Sequence, residues 1–193
     1  MTEVVLYHHV QGLTDGVRSF GDELRRAGHT VHTPDMFEGR TFTTIEEGMA
    51  FAGEAGFGTL AGRGVAAAEA IGPGVVYAGF SFGVMPAQQL AQTRPGARGA
   101  VLMSGCLPVS EFGDAWPEGL PVQVHGKEGD PFFEEDLEAG FGEGGVVDLG
   151  EGNRLGRWGS AGERVLGRVM CYQQGGLAGN KGLGGVFNLR GGP

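Results

Sequence analysis

The sequence predicts an α/β fold, a mostly parallel sheet flanked by helices. Three observations carry that reading. Short apolar runs recur along the first two thirds of the chain, of the length that buried strands have. Between them lie segments with helical spacing or Ala-rich composition. Each join is marked by Gly, Pro, Thr or Asp. Strands alternating with helical segments imply βαβ units with right-handed crossovers. The alternation is readable to about Asp130.

The first run is VVLY, Val4 to Tyr7, apolar at every position and so expected to be buried on both faces. Thr14 is placed to cap a following helix, with Asp15 in its first turn. Val17, Phe20, Leu24 and Ala27 fall on one stripe, Arg25 and Arg26 suit the negative end of the helix dipole, and Gly28 stops it. HTVHTPD, from His29, reads as a second strand ending before Pro34. Residues Thr44 to Ile71 read as one or two helices. VVYAGF (Val75 to Phe80), GAVLMS (Gly99 to Ser104) and PVQVHG (Pro121 to Gly126) are further strands, with a helix from the turn at Ser81 to about Gln92.

Composition narrows the function classes. The chain has 193 residues with 40% hydrophobic content, a formal charge of −9 and a pI near 5.0. A net anion is repelled at long range by nucleic acid and by anionic membranes, so neither is expected as a partner. Cys106 and Cys171 make neither a disulfide framework nor a metal-ligand pattern. MTEVVLYHHV lacks a basic leader and a long apolar stretch, and no segment approaches the roughly 18 apolar residues of a membrane span. The expected location is the cytoplasm. Glycine is distributed unevenly. Residues 140–193 hold 18 of the 40 glycines and a net charge of +2, whereas residues 1–139 carry −11. The expected organisation is therefore an α/β core over 1–139 and a Gly-rich tail over 140–193 without regular structure.

Gly79-Phe80-Ser81-Phe82-Gly83 is a G-x-S-x-G pentapeptide that follows an apolar strand and opens a helix. That context is what a nucleophile elbow requires. Small residues two before and two after the serine let strand and helix pass closely, and the turn lifts the hydroxyl above the sheet edge. The Phe82 N–H, at the positive end of the helix dipole, would be one oxyanion donor. The same placement also suits a serine that only caps the helix. A serine hydroxyl needs a base, and the base needs an orienting acid. Asp130, four residues past PVQVHG, is the candidate acid and Glu128 its nearest rival; Asp130 also reads as a turn residue before Pro131.

With these residues in place the chain resembles the dienelactone hydrolase family of α/β-hydrolases, and within it the small bacterial members. The stretches that carry the resemblance are VVLYHHVQGLTDGVRSFGDELRRAGHTVHTPDMFEGRTF, VVYAGFSFGVMPAQQLAQTRPGARGAVLMSG and LPVQVHGKEGDPFF, covering about residues 3–138. The resemblance implies an α/β-hydrolase-like sheet, incomplete at its C-terminal end. It also implies hydrolysis of a small carboxylic ester or lactone through an acyl-Ser81 intermediate, with no metal or organic cofactor. It assigns Ser81 as nucleophile, Asp130 as triad acid and the backbone N–H of Val10 as second oxyanion donor. It places His9 where relatives carry a polar residue beside the nucleophile, and Arg40 where some hold an arginine that pairs with a substrate carboxylate.

The family pattern continues with another strand and then the triad histidine. This chain has five histidines, His8, His9, His29, His32 and His125, and all precede Asp130. Three readings account for the departure. The tail could be a segment translated out of frame, since high-GC coding sequence read that way yields Gly- and Arg-rich stretches. The protein could instead be a pseudoenzyme that binds a ligand without turnover. Or a substitute base could come from His9 or His8, or from His125 at the end of a neighbouring strand.

Overall fold

The computed structural model describes residues 1–127 and the backbone of 145–150 and 155–157. Strands β1 (Glu3–Tyr7), β2 (Thr30–His32), β3 (Val75–Phe80), β4 (Gly99–Met103), β5 (Val122–Lys127), β6 (Gly145–Gly150) and β7 (Leu155–Arg157) form one sheet. Their order is β2-β1-β3-β4-β5-β6-β7. β1 to β6 are parallel, and β7 runs antiparallel to β6. Helices α1 (Asp15–Arg26), α2 (Ile45–Ala55), α3 (Phe57–Glu69) and α4 (Val84–Thr93) cover it. The fold is thus the mostly parallel α/β sheet expected, and every apolar run named above is a strand. No regular element was expected beyond Gly140, yet the backbone there supplies β6 and β7. Val146-Val147 is too short a run to announce a strand; what supports one is the ladder that β5 offers along its free side, from Val122↔Gly145 to Lys127↔Gly150.

Alternation along the strands splits the core into two layers. Val4, Leu6, Val31, Val76, Ala78, Val101 and Met103 pack with Val17 and Leu24 of α1. Val5, Tyr7, Val75, Tyr77, Ala100, Leu102, Val122 and Val124 face α2, α3 and α4. In α1 the buried stripe is Val17, Gly21 and Leu24, with Ala27 exposed in place of the burial expected for it. Gly21 is the inward residue because a Cβ there would lie 3.1 Å from the Thr33 side chain, which its absence lets close in. Two helices, not one, span Thr44 to Ile71. α2 opens on a capping box, with the Glu47 N–H donating to Thr44 Oγ1 and the Glu47 carboxylate reaching back to the Thr44 N–H. It breaks at Gly56, whose φ of 86° a residue with a side chain rarely adopts. Arg94 Nη1 and Nη2 donate to the Ala68 and Ile71 carbonyls, each at 2.7 Å, and so cap the negative end of α3.

The strand order sets where a ligand fits. β1 lies between β2 and β3, so the chain leaves β1 toward α1 on one face and leaves β3 toward α4 on the other. In open parallel sheets such a reversal opens a crevice at the carboxyl ends of the two strands. His8 to Val10 follow β1, and Ser81 follows β3.

Candidate active site

Ser81 sits at the junction of β3 with a short 3₁₀ turn (Ser81–Gly83) that runs into α4. Its φ is 48°, left-handed backbone that costs an L-residue about 1–2 kcal/mol, and its side chain is exposed at the sheet edge. The two glycines of the pentapeptide are there for space. A Cβ on Gly79 would lie 2.7 Å from the Val84 nitrogen, and one on Gly83 would lie 2.6 Å from the Tyr7 carbonyl oxygen and 2.7 Å from that of His8. Strand, turn and the segment after β1 therefore meet at backbone distance, which only glycine permits. Ser81 is not the N-cap residue of either element: Phe80 holds that place for the turn and Gly83 for α4.

Phe82 and Val10, whose N–H groups were read as oxyanion donors, are both buried on the flanks of the crevice. Neither N–H has a backbone acceptor among the described residues. The Phe82 ring points inward, 5.6 Å from Phe37 and 6.0 Å from Phe57. The carbonyl of Val10, which shares its peptide plane with the Gln11 N–H, faces Gly48 of α2 closely enough to exclude a Cβ there.

The histidines after β1 are engaged with their own surroundings. His8 is fully buried; its Nε2 accepts the Met36 N–H at 3.0 Å and its Nδ1–H donates to the His9 carbonyl at 2.8 Å. Burial holds its pKa below the ordinary value, opposed by the hydrogen bond to His9 and by Asp35. His9 Nδ1 accepts the Gln11 N–H at 3.2 Å, which leaves the proton on Nε2, 3.4 Å from Thr14 Oγ1. Burial, with His8 beside it, lowers the His9 pKa to about 4, so its ring is neutral at pH 7. No described hydrogen bond joins either histidine to Ser81. His125 lies on β5 with Nε2 3.2 Å from Gln123 Oε1, and its carbonyl accepts the Ser104 N–H at 2.6 Å. His32 pairs with Glu3 at 2.7 Å across β1 and β2, which fits the strand role read for it. Asp130 and Glu128 lie outside the described residues.

Arg40 is exposed, with its guanidinium 5.1 Å from the centre of the Phe51 ring. Its segment is tied to the loop after β1: Gly12 bridges Thr41, and the Phe42 N–H donates to the Gln11 carbonyl at 2.9 Å. Arg40 is thus placed on the loop wall beside α2 with a cation–π contact and no carboxylate partner among the described residues.

The loop after β4 forms the other wall. Ser104 has a φ of 57°, and a Cβ on Gly105 would lie 4.0 Å from the Ser81 Cα. Two glutamines of α4 hold this loop. Gln88, fully buried, accepts the Leu107 N–H at 2.9 Å and donates to the Leu107 carbonyl at 2.8 Å; Gln92 Nε2 donates to the Val109 carbonyl at 2.9 Å. The sequence held a signal for this clamp: Gln88 falls seven residues past Ser81, two turns on, where an apolar residue would be expected. Cys106 follows Gly105, but burial pushes its thiol up to about 12, so it is no nucleophile at neutral pH. Among the described residues no group of three or more His, Cys, Asp or Glu side chains could hold a metal ion. No described helix is long and apolar enough to cross a membrane.

No family model matches the chain, and no curated protein matches it in sequence. Solved structures do match in shape. A dienelactone hydrolase-like promiscuous phosphotriesterase from metagenomic libraries superposes with a TM-score of 0.56 at 23% identity, over 71% of this chain and 61% of that one. A second solved structure gives 0.54 at 23% identity over 70% of this chain and 61% of its own. A Klebsiella pneumoniae protein provisionally described as a dienelactone hydrolase gives 0.51 at 15% identity, over 78% and 74%. The chain spans about three fifths of the length of the first two. The described part of this chain thus shares its mostly parallel α/β fold with dienelactone hydrolase-like solved structures.

Proposed function

We propose that the chain carries a serine-type hydrolase site for small carboxylic esters or lactones, with Ser81 as the acyl-accepting nucleophile. The observation that supports this reading best is the conformation of Ser81, exposed and left-handed between β3 and α4 on a turn that glycine alone can build. Such strain persists only where the surrounding structure enforces it. In the proposed reaction the Ser81 oxygen attacks the acyl carbon, and the Phe82 and Val10 N–H groups receive the tetrahedral oxyanion. Asp130 is the proposed acid that would orient a base. Arg40 is the proposed contact for a carboxylate on the substrate. The proposed organisation keeps a core over residues 1–139 and a Gly-rich tail after it, whose backbone adds β6 and β7 to the sheet.

Neither His8 nor His9 has a ring nitrogen free to take the Ser81 proton, because each is spent on a neighbour. This observation favours a second reading, an inactive ligand-binding pseudoenzyme on the same fold. Under the first reading turnover is slow, since without a base only the oxyanion donors and binding remain, worth about 10³-fold or more over water. Incubation with a fluorophosphonate and intact-mass analysis, beside Ser81→Ala, tests it. A covalent adduct on the native chain that is absent from the variant is expected. Absence of any Ser81 adduct, together with saturable binding of a small acid or lactone, would establish the pseudoenzyme instead.

A further inference from the structure

One buried titratable side chain ties the loops after β1 and β2 together beside the Ser81 turn yet takes no part in the proposed chemistry. His8 is 0% exposed. Its Nε2 accepts the Met36 N–H at 3.0 Å from the loop after β2. Its Nδ1–H donates to the His9 carbonyl at 2.8 Å, within the loop that carries Val10. Its ring meets Phe37 edge to face, with centroids 4.7 Å apart at 81°, and Phe37 in turn lies against Phe82. Its own carbonyl oxygen is one of the two that press on Gly83. Asp35 Oδ1 stands 3.6 Å from Nε2, but that carboxylate is already the acceptor for the Phe37 and Gly39 N–H groups, at 2.8 and 2.6 Å. The acceptor role of Nε2 places the ring proton on Nδ1 and makes the ring neutral.

Resting on the serine-hydrolase reading above, we propose that His8 is a positioning residue for the oxyanion site, a neutral Nδ1–H imidazole that locks the loops after β1 and β2 against the Ser81 turn. An apolar side chain would fill the same volume. It would leave the buried Met36 N–H without a partner and the His9 carbonyl with only the Gly12 N–H, at 3.0 Å, and the loop would shift to find others. That loop carries the Val10 N–H, and a donor serves an oxyanion only at hydrogen-bond distance from where the charge develops. Imidazole meets both needs at once, a donor at Nδ1 and an acceptor at Nε2 on one rigid ring.

The test uses the full chain and the rate of Ser81 labelling by a fluorophosphonate, with His8→Phe, His8→Gln and Ser81→Ala. His8→Phe keeps a ring beside Phe37 and removes both hydrogen bonds. His8→Gln keeps an acceptor near the Nε2 position. The expected result is a labelling rate lowered about tenfold or more in His8→Phe, the size of one lost buried hydrogen bond, and largely restored in His8→Gln, with both variants melting cooperatively. If native chain and Ser81→Ala behave alike, the hydrolase reading falls and this inference with it. If Ser81 labels and His8→Phe labels at the native rate, only the role of His8 is overturned. Should His8→Phe not fold, ¹⁵N spectra of the native chain decide: ring shifts of a neutral Nδ1–H tautomer at pH 7 are expected, and an Nε2–H tautomer or a charged ring would refute the proposal.

Discussion

Replacing Gly83 by alanine tests the geometry on which the candidate site depends. The added methyl would sit 2.6 Å from the Tyr7 carbonyl oxygen, 2.7 Å from that of His8 and 2.8 Å from the Tyr7 carbonyl carbon, where ordinary contact begins at 3.4 Å. About 0.8 Å must therefore be recovered. All three obstructing atoms are backbone, and β1, which carries Tyr7, is hydrogen-bonded on both sides by β2 and β3. No flexible side chain can give way. Overpacking of a core typically costs about 1–3 kcal/mol, and the upper end applies where only backbone can move. A loss of about 3 kcal/mol corresponds to a melting temperature lower by about 6–12 °C in a chain of this size. Gly53→Ala in α2 is the control, since nothing lies within 4 Å of its new methyl, and it should stabilise by about 0.5–1 kcal/mol through helix propensity. Urea unfolding followed by circular dichroism measures both. A Gly83→Ala midpoint equal to that of the native chain would mean that β1 and the Ser81 turn are not in backbone contact, and the account of the elbow would be wrong.

Other outcomes follow from the same geometry. Ser81→Gly should raise stability by about 1 kcal/mol in urea titration, because it removes the left-handed strain at φ 48°, while abolishing fluorophosphonate labelling. Gln88→Leu should cost about 1–3 kcal/mol, since it strands the part-buried N–H and carbonyl of Leu107; a change below 1 kcal/mol would show the β4 loop to be held by other means. Stability should fall as pH drops from about 6.5 through 4. The folded pKa of His9, about 4, and that of His8, also depressed, lie below the unfolded value, so the unfolded chain binds more protons across that window and gains as pH falls. Titration of the His9 ring near 6.5 by NMR would refute this.

Much of the architecture was readable from local pattern. VVLY, VVYAGF and GAVLMS have no polar residue inside, and such runs are buried on both faces whatever surrounds them. Thr44 and Glu47, three apart at the start of the segment read as helical, form the capping box that α2 displays. The G-x-S-x-G pentapeptide was recognisable because its glycines answer a steric need confined to a few residues. The β6 and β7 backbones were not readable, since a parallel ladder is supplied as much by the neighbour as by the strand itself. Equally hidden was the burial of Gly21 in place of Ala27, which depends on how near Thr33 approaches.

By itself the sequence determined the strand–helix alternation, the turn at Ser81 and the absence of any histidine after Asp130, all properties of residue type and spacing. Only the tertiary structure decided what the histidines do. His8 and His9 stand side by side in the chain, and both could be read as a base, His9 first. Their ring nitrogens meet Met36, Gln11 and Thr14 instead, through contacts between loops that end different strands. Hydrogen-bond partners across 28 residues are set by how the sheet brings loop ends together, and no local pattern encodes that.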